Sequence, residues 1–513
     1  MHTHEALPAI FFVRRCRILQ LPTIYVCFCC RSGVPLPAAC VSGRNGIFAT
    51  GGIFIFSSYS NNKTPLTFRI VDSPMGVGKS QSLIDYFRFS ETCHLRGEEN
   101  NRYIIFVPTL SERDERFRKY LGVKTPEDRP YSQSIRDMIL NGDNIITTHA
   151  LWSFFNDDTI KAFKQSKYNY AAYFDEVPGL FRDVVGSGLK PDENGSVVRF
   201  GAADVKLMQE QKMIVCRNGV IQYNPACEYE KEVSEHKVFN AVRSLSRSCT
   251  LYPYGEKDGK FTSIVAFAKR EMFECFRQCW FFSYMTHNSM LHKYCLLNHI
   301  DMEYYHVVED RFLRNPEGRY VETYPEGIER LVILDDPRFN VDFSLSKNWF
   351  ERAGKEKTRG KLKQLENCFR YTYEYMRAHG VRSNTFMYTV FNAYRDLIRS
   401  DGRHFPTAKR FLPCNTKATN DYSNCIGVAY LCNRYFDVTC TNFLAQRAKT
   451  EDNPVLEFDN DNYALSELVQ FIWRSNVRVK DAHQPVYVWV PDGRMRKLLQ
   501  EFQQRAMERK NTI

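Results

Sequence analysis

Residues 66–90, LTFRIVDSPMGVGKSQSLIDYFRFS, constrain this chain more than any other stretch. Residues 66–71 are apolar and β-branched, as expected of a buried strand. A glycine-bearing turn follows, Ser73-Pro74-Met75-Gly76-Val77-Gly78-Lys79-Ser80, and then Leu83, Ile84, Tyr86 and Phe87 recur at helical spacing. Strand, glycine loop, helix is the context in which such a pattern becomes a phosphate site. The glycines let consecutive N–H groups turn toward one anion, and the new helix adds the positive end of its dipole. Residues 73–80 are therefore expected to bind ATP. Lys79 would reach the β- and γ-phosphates, and the Ser80 hydroxyl would hold Mg²⁺. The strict pattern has Gly where this chain has Ser73.

A phosphate loop needs a carboxylate for its metal. Residues 170–178, YAAYFDEVP, place Asp175 and Glu176 at the end of a short apolar run that reads as another strand. Strand ends line the ligand crevice of an open parallel sheet. Asp175 is assigned to Mg²⁺, and Glu176 to the attacking water as general base.

Further motifs follow the same logic. Residues 102–110 (RYIIFVPTL) and 143–149 (DNIITTH) read as strands ending in hydroxyl-rich turns. Pro108, Thr109, Thr147, Thr148 and His149 are placed there as contacts to a nucleic-acid backbone, which hydroxyls and amides can hold without reading bases. Residues 280–289 (WFFSYMTHNS) form an apolar run ending in hydroxyls. Around them Cys275, Cys279, His292 and His299 nearly copy a zinc finger, but the histidine spacing is too long. In the second half, residues 360–380 show helical periodicity ending at a glycine, and residues 385–391 and 485–491 read as strands. The polar loop opening residues 411–435 contributes Asn415 and Thr419 as nucleic-acid contacts. In residues 465–478, LSELVQFIWRSNVR, a continuous helix would carry Gln470, Arg474 and Arg478 on one face. Arg474 is expected to reach across a cleft to the γ-phosphate as an arginine finger, with Arg478 second.

SPMGVGKS followed by DEVP resembles motifs I and II of superfamily 2 helicases of the DEAD/DEAH-like group. The turns at 108–109 and 147–149 resemble motifs Ia and Ib, residues 280–289 motif III, and Gln470 with Arg474 motif VI. QFIWRS, CNTKATNDY and AYLCNRY are similar to helicases encoded by bacteriophages and prophages. The resemblance covers about residues 66–495. It implies an α/β fold of two RecA-like lobes, ATP between them and single-stranded nucleic acid across their tops, DNA favoured over RNA. The chain departs from the family at the last residues of DEVP, at Trp473 where a Gly is usual, and at Arg478, which falls one residue late. No glutamine lies between Gly43 and Asp72, where strict DEAD-box RNA helicases carry one that reads adenine.

The chain has 513 residues and 43% hydrophobic content, which suits several globular domains. The excess of 70 Lys+Arg over 59 Asp+Glu permits a polyanionic partner without requiring one. Seventeen scattered cysteines fit a reduced compartment, and no apolar run is long enough to span a bilayer. A cytoplasmic protein is expected, in the host cytoplasm if phage-encoded, with other replication proteins as candidate partners. Residues 1–65 carry one acidic residue, Glu5, beside Arg14, Arg15 and Arg17 and Cys27, Cys29, Cys30 and Cys40. A transit peptide, a metal site and a poorly ordered extension remain open readings for them. The expected domains are this extension, lobe 1 over 66–300 with an insertion at about 190–270, lobe 2 over 301–495, and a separate basic helix over 496–513. Two rivals to a helicase stand: a phage terminase-type packaging ATPase, with Asp335 and Asp336 starting a nuclease site, and a nucleic-acid-binding protein that ATP only switches.

Overall fold

The computed structural model describes residues 65–512, apart from 94–99, 128–129, 153, 185–199, 229–236, 258, 342, 356–358, 399–402 and 417–420. The extension 1–64 and Thr419 lie outside the described residues.

The first lobe is built on seven strands: β1 (Thr67–Asp72), β2 (Asn101–Val107), β3 (Ile145–Thr148), β4 (Asn169–Asp175), β10 (Gln278–Ser283), β11 (Asp301–Val308) and β12 (Arg311–Arg314). Their spatial order is β12-β11-β1-β10-β4-β2-β3, all parallel except the β11–β12 hairpin. Parallel sheets are covered on both faces, which is why these strands read as nearly unbroken apolar runs. Alternate residues enter separate cores: Ile104, Phe106, Ala172, Phe174 and Phe281 on one face, Ile105, Val107, Tyr173 and Phe282 on the other. On the first face Phe106, Phe174 and Phe281 occupy matching positions of β2, β4 and β10 and stack at 4.6 Å. In this register the carboxyl ends of β1, β10, β4, β2 and β3 form one edge, carrying Asp72, Ser283, Asp175, Val107 and Thr148.

Between β4 and β10 the chain makes a second sheet of β5 (Phe181–Asp183), β6 (Ile214–Arg217), β7 (Val220–Tyr223), β8 (Cys249–Lys257) and β9 (Lys260–Ala268). It is wholly antiparallel, in the order β5-β9-β8-β7-β6, with its own small core around Val205, Met208, Val242 and Ile264. The insertion thus starts at the short strand β5, before the expected residue 190.

The second lobe is a parallel sheet of β13 (Leu331–Ile333), β14 (Phe386–Val390), β15 (Gly427–Leu431) and β16 (Val486–Trp489), ordered β13-β16-β15-β14. The long helix Arg359–Ala378 stops where Gly380 turns left-handed at φ +93°, and Val381 N–H reaches back to Met376 O. The two parallel sheets flanked by helices make the architecture two RecA-like lobes.

Three expectations are corrected. The first sheet continues through β11 and β12, past residue 300, because both strands complete the edge beside β1. The helix Gly493–Thr512 is no separate tail: Met495, Leu499, Phe502 and Ala506 are buried in the second lobe's core, and Gln503 Nε2 donates to Ile328 O and Leu331 O. Nor does the span 301–495 belong wholly to the second lobe: the helix Val438–Thr450 follows β15, yet Cys440, Phe443 and Leu444 pack into the first lobe's core, with Phe443 against Tyr252 and Phe267 of the insertion.

Phe502→Ala should cost about 3–5 kcal/mol in urea unfolding, while the exposed Gln504→Ala should cost under about 0.5 kcal/mol. Equal, negligible effects would mean that the helix is a dispensable appendage.

Candidate nucleotide site between the lobes

The phosphate loop leaves β1 through Asp72 and Ser73, both enclosed. Ser73 N–H donates to Ser283 O at 3.1 Å, and its hydroxyl accepts from Val307 N–H at 2.9 Å. The serine in place of glycine thus satisfies an amide near the end of β11. Gly76 and Gly78 take φ of +87° and +88°, which a side chain would strain. The helix Lys79–Cys93 then starts, with Ser82 N–H donating to Gly78 O at 2.8 Å. Lys79 Nζ folds back onto the loop, donating to Ser73 O at 2.5 Å and Pro74 O at 2.9 Å. Burial pulls its ammonium down to about 8, against the opposing pull of Asp72, Asp175 and Glu176.

Opposite stands the end of β4. Ser80 Oγ donates to Asp175 Oδ2 at 3.0 Å and lies 3.2 Å from Oδ1. Burial first, and the neighbouring Glu176 charge second, raise the Asp175 carboxyl to about 6. Glu176 has a left-handed φ of +67° and is held by its N–H on Phe282 O at 2.9 Å. A strained backbone at that point turns the chain sharply out of the strand. Hard oxygen donors at the mouth of a glycine cradle suit Mg²⁺, and Ser80 with Asp175 are the residues here that fit it.

Asp72 was not singled out from the sequence. Its carboxylate accepts from Met285 N–H at 3.2 Å, from Thr286 N–H at 2.7 Å and from the Thr286 hydroxyl. Burial raises its pKa, and these bonds and Lys79 oppose that. Asp72 therefore ties the entrance of the phosphate loop to the turn after β10. That turn belongs equally to the second lobe. Tyr284 and Met285 are buried in its core, Met75 packs against it, and Asn462 Nδ2 donates to His287 O at 2.8 Å. The only sequence signal was an acidic residue ending an apolar strand.

Residues 465–478 are not one helix. The helix Asn460–Ile472 ends because Trp473 turns inward, fully buried, its Nε1 donating to Glu326 O at 3.2 Å. Gln470 stays on the helix and donates to Ser466 Oγ at 3.0 Å. Arg474 sits in the turn beyond, and Arg478 ends a single 3₁₀ turn, Asn476–Arg478. The three residues therefore do not share a helical face. The turn is held from the second lobe by Arg330, which donates to Asn476 O at 2.9 Å and Val477 O at 2.5 Å. Arg474 Nη2 donates to Thr416 O, while Nη1 is buried with no hydrogen-bond partner among the described residues. Burial lowers the Arg474 pKa, and Glu176 of the first lobe leads the carboxylates that oppose this. The Arg478 carbonyl lies 3.9 Å from where a side chain at Gly76 would begin. The arginine turn thus lies against the phosphate loop at Gly76, and the Glu176 charge of the first lobe acts on Arg474.

The expected nucleic-acid contacts fare unevenly. Thr147 and Thr148 are buried in β3, so their hydroxyls are enclosed rather than presented. Thr109 is half-buried and its hydroxyl accepts from Glu112 N–H at 3.2 Å. Pro108 and His149 are half-buried and Asn415 is exposed. Of the near zinc-finger set, Cys279 is buried and directed at Phe273 O, and His292 Nδ1 accepts from Asn288 N–H at 2.9 Å.

A family model described as the YonV C-terminal Rossmann-like domain matches residues 327–503, the second lobe. The SPbeta prophage-derived uncharacterized protein YonV of Bacillus subtilis (strain 168) is 25% identical over 451 residues, covering 85% of this chain and 98% of that protein. Among solved structures, S. tokodaii Xpd4 aligns with 85% of this chain and 94% of its own at 14% identity, with a TM-score of 0.41. Among the described residues no helix is long and apolar enough to cross a membrane.

A carboxyl whose folded pKa lies above its unfolded value destabilises the fold once ionised. For Asp175 that penalty is absent near pH 4, grows as pH rises through about 6, and is full above it. Asp175→Asn should therefore raise the thermal midpoint at pH 8 and change it little at pH 4. It should also remove stabilisation by added Mg²⁺. Equal shifts at both pH values would contradict the burial penalty.

Proposed function

We propose that this chain is an ATP-driven motor acting on nucleic acid, of the helicase type, with DNA favoured over RNA. The observation that carries this is the placement of Arg474: it belongs to the second lobe, yet it faces Glu176 of the first and has a buried Nη1 unbonded among the described residues. An arginine held there supplies positive charge where the γ-phosphate of bound ATP develops negative charge, and only when the cleft is closed.

The residues divide the work. The amides around Gly76 and Gly78, with Lys79, bind and orient the triphosphate. Ser80 and Asp175 would hold Mg²⁺, which when bound neutralises the β- and γ-oxygens. Glu176 takes the proton of the attacking water. Hydrolysis removes the anion that Arg474 reads, so the lobes separate. Asp72, Thr286, His287 and Asn462 carry that change between the phosphate loop and the second lobe. A strand bound across both lobes would be passed along in alternation. The prophage origin stated for the B. subtilis relative suits a role in phage DNA replication or recombination.

The packaging-ATPase reading loses its carboxylate cluster. Asp336 pairs with Arg338 at 2.7 Å and Asp335 with Arg496 at 2.9 Å, each neutralised locally instead of converging on a metal.

ATP hydrolysis should rise severalfold with single-stranded DNA and fall about 10³-fold in Arg474→Ala. Lys79→Ala should abolish it. Hydrolysis indifferent to any polynucleotide, or untouched by Arg474→Ala, would overturn the motor.

A further inference from the structure

Arg474 uses one side of its fork inside its own lobe. Its Nη2 donates to Thr416 O, while Nη1 is enclosed and unbonded among the described residues. A guanidinium is planar, so tying one nitrogen to a carbonyl restricts where the other can point. The direction of Nη1 therefore depends on the turn that offers Thr416 O.

That turn has its own supports. Leu412 N–H donates to Tyr388 O at 2.9 Å, which ties the turn to β14, and Thr416 N–H donates to Pro413 O at 3.0 Å, which closes it. Between these two bonds lies Cys414, buried, whose sulfur accepts from Arg434 Nη1 at 3.7 Å. Arg434 stands three residues beyond the end of β15. Its Nη2 donates to Glu467 Oε2 and to Tyr463 Oη, each at 2.8 Å. Glu467 and Tyr463 both belong to the helix Asn460–Ile472, which leads directly into Arg474, and Arg474 N–H donates to Phe471 O at 3.1 Å. One guanidinium thus joins the turn that holds the Arg474 side chain to the helix that carries the Arg474 backbone.

Holding the fold together is a poor reason for an arginine there. Desolvation offsets much of the attraction in an enclosed ion pair. Arg434 Nε is also buried with no hydrogen-bond partner among the described residues, which costs more. What a fork with three acceptors does supply is direction: it fixes the angle between the groups it joins, which apolar packing of the same volume does not.

We propose that Arg434 is the positioning residue for Arg474, setting the 413–416 turn against the helix Asn460–Ile472 so that Nη1 is held toward the nucleotide cleft. This rests on the arginine-finger role proposed above for Arg474 and names what aims it. Arg434 itself touches no nucleotide, so its whole effect on hydrolysis passes through Arg474.

The test is a double-mutant cycle on ATP hydrolysis by the full chain with Mg²⁺ and saturating single-stranded DNA. Arg434→Gln should lower kcat about tenfold to a hundredfold while the KM for ATP moves less than about twofold, because an aimed group is lost and the triphosphate contacts remain. In the Arg474→Ala background the same substitution should change the residual rate less than about twofold, since no finger is left to aim. Glu467→Gln, which still accepts from the fork, should keep more of kcat than Glu467→Ala. An equal fall in both backgrounds, a raised KM with kcat intact, or no change in either overturns this inference alone. Hydrolysis untouched by Arg474→Ala overturns the finger reading and this inference with it. Should Arg434→Gln fail to fold, Tyr463→Phe decides, since it removes one acceptor and keeps the ring: kcat should fall severalfold in the wild-type background only, and an unchanged kcat speaks against Arg434 as the positioning residue.

Discussion

Two carboxylates, Asp72 and Asp175, lie enclosed at the same edge of one parallel sheet, and the loops around them are arranged by what each requires. A buried carboxylate without donors is costly. Asp175 is met by the Ser80 hydroxyl, and Asp72 by two amides and a hydroxyl of the turn after β10, with the Lys79 charge acting on both. The phosphate loop runs between these two compensations. The Asp72 compensation depends on β10 lying beside β1, since the turn after β10 delivers Thr286 to it, and β10 also holds the Glu176 N–H beside Asp175.

The same edge explains why the lobes meet where they do. The turn that satisfies Asp72 is buried by the second lobe through Tyr284 and Met285, so the first lobe's polar chemistry is sealed by the second lobe's apolar core. The arginine turn sits next to this seal, held by Arg330 from behind. The Arg478 carbonyl of that turn approaches Gly76 of the glycine loop.

The strands were legible from the sequence because parallel strands buried on both faces leave nearly unbroken apolar runs, and β1, β2, β4 and β16 fall where those runs fall. The strand, glycine turn and helix over 67–93 were legible because the apolar run, the glycines and the helical apolar spacing follow one another, as β1 and the helix Lys79–Cys93 do. Asp72 was not, because a lone acid at a strand end gives no sign that its partners lie more than two hundred residues away. The end of the helix at Ile472 was missed because Trp473 continues the apolar period while its indole, bonded to Glu326 O, turns the chain. The helix Val438–Thr450 has an ordinary apolar face, and sequence does not reveal which lobe receives it.

The central claim is that one triphosphate is held by both lobes at once. Fluorophores placed through non-natural amino acids at the exposed Tyr120 of the first lobe and Tyr371 of the second would report that closure directly. The transfer efficiency should change with a non-hydrolysable ATP analogue and Mg²⁺, return with ADP, and stay fixed in Arg474→Ala. A signal that is the same with either nucleotide, or a change that survives Arg474→Ala, would contradict the shared site.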